Sequence, residues 1–193
     1  MYGYRSLLPS DLKTICTFPQ NEEELFYMFP KAVYPLTPDQ LEEAAKNRFK
    51  PTVILHRERV VAYANFYDVD DQSCWLGNVI VAPDYRGKGA ATYLIEVMTN
   101  VAAEELNVRK MKLVCHNTNT RGLLFYAKHG FKPYDVSIRQ KPSGELVAGI
   151  LMEKDLSVEN QLHGCSPLER CQKPLDLLDG VVDMLRADDD SRI

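Results

Sequence analysis

The stretch Asn78-Val-Ile-Val-Ala-Pro-Asp-Tyr-Arg-Gly-Lys-Gly-Ala-Ala91 restricts the folds open to this chain more than any other. An apolar run stops at Pro83, turns through Asp84, Tyr85 and Arg86, and enters a helical pattern through Gly87 and Gly89. Strand, tight turn and helix start in immediate succession require a mixed α/β domain. The first N–H groups of a helix have no partners inside it, and glycine lets an anion come close to them. Arg86 and Lys88 add positive charge at the same point. The stretch is therefore predicted to hold a pyrophosphate.

Upstream, residues 2–7 alternate as a short first strand, and residues 9–50 read as short helices and turns. Ser10 is the expected N-cap of a helix to Thr17, a second helix covers 22–28, and Thr37 with Pro38 opens a third. Residues 52–56 and 60–67, rich in β-branched and aromatic side chains, form a predicted hairpin about Arg57 and Glu58. The run 74–82 is apolar on both faces, with Val79 and Val81 on one side and Leu76 and Ile80 on the other. That pattern places it centrally in the sheet. Downstream, a helix over 89–106 presents Leu94, Ile95, Met98 and Val101 to the sheet. The apolar strand 110–115 follows closely enough that a right-handed parallel crossover is the expected connection. A helix over 120–128, stopped at Gly130, and a hairpin of 131–139 with 145–153 complete the pattern.

At 193 residues the chain has room for one substantial domain and an appendage. Composition shifts after Lys154, dividing the chain into a domain over 1–154 and an extension over 155–193. Pro174 starts an amphipathic helix near 174–187, with Leu175, Leu178, Val182 and Leu185 on one side. That face requires burial, either on its own domain or against a second copy in a homodimer. A net charge of −4 provides no global basic field for nucleic acid or membrane. Five cysteines without C-x-x-C spacing argue against a disulfide framework and against a zinc site, and suit a reducing cytosol. No signal-like apolar run opens the chain, and nowhere do about 18 apolar residues run together. A soluble cytoplasmic protein is expected, with no metal, no nucleic acid and no membrane among its partners.

Two motifs then combine. Residues 81–91 match the pattern Arg/Gln-x-x-Gly-x-Gly/Ala, with Arg86, Gly87, Lys88, Gly89, Ala90 and Ala91 at its centre. Residues 119–131 place Asn119 seven positions before Tyr126 and end in Gly130-Phe131. In this order and separation they resemble the acetyl-CoA motifs of the GNAT superfamily of N-acyltransferases, over residues 2 to about 154. The resemblance implies a central, mixed but mostly antiparallel sheet of six to seven strands, splayed between its two parallel strands and flanked by helices. It also implies acetyl-CoA as cosubstrate. Backbone at Val79, Ile80 and Val81 would guide the pantetheine arm, and Asn119 would bond that arm or the strand edge. The N–H groups of Gly87, Lys88, Gly89, Ala90 and Ala91 would hold the pyrophosphate. Tyr126 would protonate the departing thiolate, and a phenol with an ordinary pKa near 10 keeps its proton for that purpose.

The acceptor amine must be neutral to attack. Deprotonating an ordinary lysine at pH 7 costs roughly 4–5 kcal/mol, and an α-amine only about 1. His116, at the end of the second splayed strand, is the candidate base; Asp68, Asp70 and Asp71 are alternative acidic neighbours of the acceptor. The strand beside the cofactor offers Asn78 and no carboxylate, so no base stands there. Aromatic residues from Phe26 to Tyr34 belong, in the resembling fold, to a region that overhangs the acceptor.

Competing readings of the same residues are weaker. Gly87-x-Gly89-x-x-Thr92 breaks a dinucleotide fingerprint, and no Gly-Lys-Ser/Thr marks a P-loop. Tyr126 is also suited to a core, Asn119 to a helix cap, and Cys74 and Cys115 to burial as small apolar residues. The functional expectation is N-acetyl transfer to a primary amine in a ternary complex. A regulatory module that binds acetyl-CoA without turnover, and a longer acyl-CoA donor, stay open beside it. The net charge leans toward cationic acceptors but is too small to choose among them.

Overall fold

The structure, a computed structural model, describes residues 1–141 and 143–157; the helix expected near 174–187 lies outside the described residues. Seven strands form one sheet: β1 (Tyr2–Ser6), β2 (Phe49–His56), β3 (Arg59–Tyr67), β4 (Ser73–Val81), β5 (Lys110–His116), β6 (Lys132–Gln140) and β7 (Leu146–Asp155). Their spatial order is β1-β2-β3-β4-β5-β7-β6, and β4 with β5 is the parallel pair. The helices are α1 (Leu12–Ile15), α2 (Glu22–Met28), α3 (Pro38–Lys46), α4 (Ala90–Asn100) and α5 (Thr120–Lys128). Among the described residues, no helix is long and apolar enough to cross a membrane.

Local chemistry accounts for most of these elements. Arg57 and Glu58 take left-handed φ values of 49° and 67°, the two-residue turn whose twist suits a hairpin between β2 and β3. Asn21 caps α2 by accepting from the Glu24 N–H, and Thr37 caps α3 from the Gln40 N–H. Ser10 does not cap α1. It lies inside a 3-10 turn over Pro9–Asp11, where the Asp11 carboxylate accepts from the Leu8 N–H at 2.8 Å and from Arg5 at 2.6 and 2.9 Å. The long helix expected over 89–106 is α-helical to Asn100 and then widens into a π-turn over Val101–Glu105, closed by the Leu106 N–H on the Val101 carbonyl.

The sheet buries both faces. Leu94, Ile95 and Met98 of α4 pack with Phe66, Leu76, Leu113 and Met152 on one side. On the other side Ile15, Phe18, Leu25 and Leu41 pack with Tyr63 and Ile80. Leu76 was expected to share a face with Ile80 but shares one with Val79 and Val81. The cause is a β-bulge. The β3–β4 register jumps from Asn65↔Gly77 to Tyr63↔Ile80, and Asn78 sits in the bulge with φ of 52°, which shifts the alternation by one residue.

Buried hydrogen bonds hold the bulge. Asn78 Nδ2 donates to the Met28 carbonyl at 3.1 Å, while its Oδ1 accepts from Asn65 Nδ2 at 2.9 Å. The same Asn65 nitrogen reaches the Tyr63 hydroxyl at 2.8 Å. β4 and β5 pair only from Ser73↔Lys110 to Trp75↔Lys112 and then separate, with the bulge just beyond the last pair. Beyond that point β5 continues along β7 as far as His116↔Gly149 and β4 along β3 as far as Ala62↔Val81, so each keeps its outer neighbour while the two part from each other.

Candidate active site

The separation of β4 from β5 opens a cavity of about 710 Å³ bordered by Val79, Ile80, Val81, Arg86, Gly87, Gly89, Ala91, Asn119 and Tyr126. All nine were singled out in the sequence. Lys88 and Ala90 do not border it: Ala90 is fully buried, and the Lys88 carbonyl accepts from the Tyr2 hydroxyl at 2.8 Å. Gly87 and Gly89 have φ of 73° and 87°, a conformation costly for any residue with a β-carbon. A β-carbon on Gly87 would meet nothing within 4 Å, so the space above the turn is open. The first helical bond of α4 runs from the Tyr93 N–H to the Gly89 carbonyl. Among the described residues, the N–H groups of Ala90, Ala91 and Thr92 find no acceptor, which leaves an anion site at the helix start.

Arg86 does more than add charge. Its guanidinium binds both oxygens of Glu24 at 2.7 and 2.9 Å, the Phe18 carbonyl at 3.1 Å and, through Nε, the Val81 carbonyl at 3.2 Å. This fastens the glycine turn to the end of β4 and to the segment joining α1 and α2. The paired guanidinium holds the Glu24 carboxyl below its ordinary pKa. Arg121, at the start of α5, also borders the cavity and makes no ion pair among the described residues. Asn119 caps α5 by accepting from the Gly122 N–H at 2.9 Å. A β-carbon at Gly122 would stand 2.5 Å from Asn119 Nδ2, so glycine is what lets the asparagine fold over the helix start.

A second cavity of about 700 Å³ continues along β4 toward Trp75, and the two share Tyr27, Met28, Val79 and Tyr126. Its walls come from α2 (Phe26, Tyr27, Met28), β4 (Trp75, Gly77, Asn78), β5 (Val114, His116), and Arg48, Tyr67, Asp68 and Arg139. His116 is buried with its ring centroid 4.3 Å from Phe26 and 6.1 Å from Tyr27. Burial, and then the charges of Arg139 and Lys141, push its pKa down, so the imidazole is neutral near pH 7. Burial pushes the Tyr126 phenol above its ordinary value, and it remains protonated. Of the three aspartates considered as neighbours of the acceptor, only Asp68 borders this cavity; Asp70 instead accepts from the N–H groups of Gln72 and Ser73 at 2.7 Å.

Sequence reasoning did not find Glu24, Arg121, Arg48, Tyr67, Trp75 or Arg139. They arrive from unconnected elements, and no local spacing links them. Cys74 and Cys115 are buried, with burial raising both thiols to about 12, which suits packing and not nucleophilic attack. Among the described residues, no three His, Cys, Asp or Glu side chains converge as a metal site.

Comparison with known proteins places this geometry. Uncharacterized N-acetyltransferases of Mycobacterium bovis and Mycobacterium tuberculosis are 35% identical over 77 residues, which is 40% of this chain and 49% of those proteins. The chain thus matches about half the length of these curated relatives. Among solved structures, the spermidine N-acetyltransferase of Vibrio cholerae in complex with CoA and spermine superposes with a TM-score of 0.69 at 20% identity. That match covers 81% of this chain and 96% of the other. The ribosomal-protein-S18-alanine N-acetyltransferase of Escherichia coli gives 0.64 at 20% identity, covering 81% and 95%. These likenesses establish the fold. The model of the acetyltransferase (GNAT) family matches residues 16–131, more than half of the sequence, and with the splayed β4–β5 pair it shows that the chain belongs to that family.

Proposed function

We propose that this protein transfers an acetyl group from acetyl-CoA to a primary amine, by direct attack within a ternary complex. One observation carries the reading: two cavities of similar size lie end to end along β4 and share Tyr126 and Val79 at their junction. A donor in the first and an acceptor in the second would meet there, with proximity and orientation supplying much of the rate.

Acetyl-CoA brings the activated acetyl group. The N–H groups of Gly87, Gly89 and the first residues of α4 hold its pyrophosphate, the Lys88 N–H being spent on the Tyr85 carbonyl, and Arg121 adds an unpaired positive charge beside them. Backbone of Val79, Ile80 and Val81 guides the pantetheine arm and polarises the thioester carbonyl. Asn119 spends Oδ1 on its helix cap and offers Nδ2 to the arm. The neutral imidazole of His116 accepts a proton from the incoming ammonium, directly or through water. Tyr126 gives its proton to the departing sulfur and regains one from the nitrogen that has become an amide. Arg86 supports the glycine turn through Glu24 and does not deliver bare charge to the phosphates.

Calorimetry with acetyl-CoA, followed by thiol release over a panel of amines, tests this. Binding accompanied by CoA release with at least one amine is expected. Binding without release for any amine identifies a regulatory module, and absence of binding defeats the reading.

A further inference from the structure

We infer that the acceptor amine carries a carboxylate, and that Arg48 and Arg139 recognise it in the second cavity. This rests on the acetyl-transfer reading and deepens it by naming the substrate class. The cavity is bordered by three cations, Lys31, Arg48 and Arg139, against the single carboxylate of Asp68. None of the three cations makes an ion pair among the described residues, whereas Arg86 in the neighbouring cavity is fully paired with Glu24. The sign of the acceptor cavity is therefore opposite to that of the chain as a whole.

The two arginines are placed rather than merely present. The Arg48 guanidinium lies 4.8 Å from the centroid of the Tyr67 ring, a cation–π contact that fixes its plane. Its Nε is buried with no hydrogen-bond acceptor, so that N–H has lost water without gaining a partner, while the residue as a whole is half-buried. Arg139 lies across β7: its Cγ is 3.0 Å from where a β-carbon on Gly149 would stand, and Gly149 pairs with His116. The arginine thus lies on the base's side of the sheet from β6, one strand beyond β7. Burial raises the Tyr67 phenol pKa, and the charges of Arg48 and then Arg139 oppose that rise; Tyr67 and both arginines border the same cavity. A planar guanidinium binds a carboxylate through two parallel N–H bonds, and a desolvated guanidinium does so more strongly. A polyamine would instead bring two or more cations to a wall that already holds three.

The third cavity, of about 340 Å³, has the opposite character. Glu22, Glu23 and Glu145 border it against one cation, Lys141, which is paired with Glu145 at 2.8 Å, and only Phe26 is common to both cavities. A polyamine acceptor would have to use that surface, away from His116 and Tyr126.

The test is thiol release from acetyl-CoA with amines that differ only in the carboxylate: phenylalanine against phenethylamine, lysine against 1,5-diaminopentane, and spermidine as the polycation. At low salt, kcat/KM should favour the carboxylate-bearing member of each pair by about tenfold or more. In Arg48→Gln and in Arg139→Gln the ratio of kcat/KM between the two members of each pair should fall several-fold through KM of the carboxylate-bearing acceptor, while KM for acetyl-CoA holds. Arg139 is exposed, so its variant keeps the question answerable if Arg48→Gln folds poorly. Equal or better use of the carboxylate-free amines or of spermidine overturns the inference and leaves acetyl transfer standing. No release from any amine overturns both.

Discussion

Arg139 crosses Gly149 where no side chain obstructs it: a β-carbon at 149 would lie 3.0 Å from Arg139 Cγ and 2.9 Å from Val114 Cγ1. Gly149→Ala is therefore expected to overpack the β5–β7–β6 face, at about 1–3 kcal/mol of stability. It should also move Arg139 away from the acceptor cavity. Thermal denaturation reads the first effect, and a raised acceptor KM at constant acetyl-CoA KM reads the second.

Gly89→Glu should abolish acetyl-CoA binding. The residue has a left-handed φ of 87°, costing about 1 kcal/mol for a non-glycine residue, and the new carboxylate would stand beside the N–H groups meant for a phosphate. Calorimetry checks this. Binding within a factor of two of the native protein would remove the phosphate role of the helix start.

Glu24→Gln separates bracing from charge. Its ion pair with Arg86 is 28% and 29% exposed at the two side chains, so the loss of stability should be of order 1 kcal/mol. The Glu24 carboxyl is lowered by Arg86, so its contribution is complete above the ordinary carboxylate pKa and fades as the solution becomes more acidic. Unpairing Arg86 leaves one more positive charge beside the phosphates. Acetyl-CoA affinity should rise at low salt and return toward the native value as salt screens it. Weaker binding would mean that bracing of the turn outweighs its charge.

Tyr126→Phe should lower kcat by about a hundredfold, the lower part of the range for general acids, because burial makes the phenol a reluctant donor. Acetyl-CoA affinity should hold. Unchanged turnover would reduce Tyr126 to a packing residue.

His116 binds a proton less readily folded than unfolded, since burial and the nearby cations disfavour its charged form. The unfolded chain therefore takes up more protons as pH drops through about 6.5, and the contribution of His116 is intact above that value and lost below it. Melting temperature should decline on acidification, less steeply in His116→Gln. A residual slope is expected from His129, whose pKa is also lowered by burial. The same variant should lose acetyl transfer by about a hundredfold or more if the imidazole is the base.

The sheet and its helices were legible because each depends on nearby residues. Alternation marked the strands, Thr37-Pro38 and Gly130 punctuated helices, and the predicted bounds of α2 and α5 coincide with the structure. The glycine turn and Asn119 to Tyr126 were visible for the same reason. The bulge was not: an asparagine in a left-handed conformation has no spacing that announces it, and Leu76 was accordingly assigned to the wrong face. The acceptor walls were hidden because Arg48 precedes β2 and Arg139 lies near the end of β6, and only folding brings them to one cavity with Tyr67. Net charge could not choose the acceptor for a related reason, since it sums over the whole surface and a cavity has a sign of its own.

Because the two cavities share a wall at Tyr27, Met28, Val79 and Tyr126, a single molecule can occupy both. CoA joined through a linker of acetyl length to the nitrogen of an amino acid would seat one half and present the other at high local concentration. Its second engagement then becomes intramolecular, and the conjugate should inhibit more strongly than either half alone by orders of magnitude.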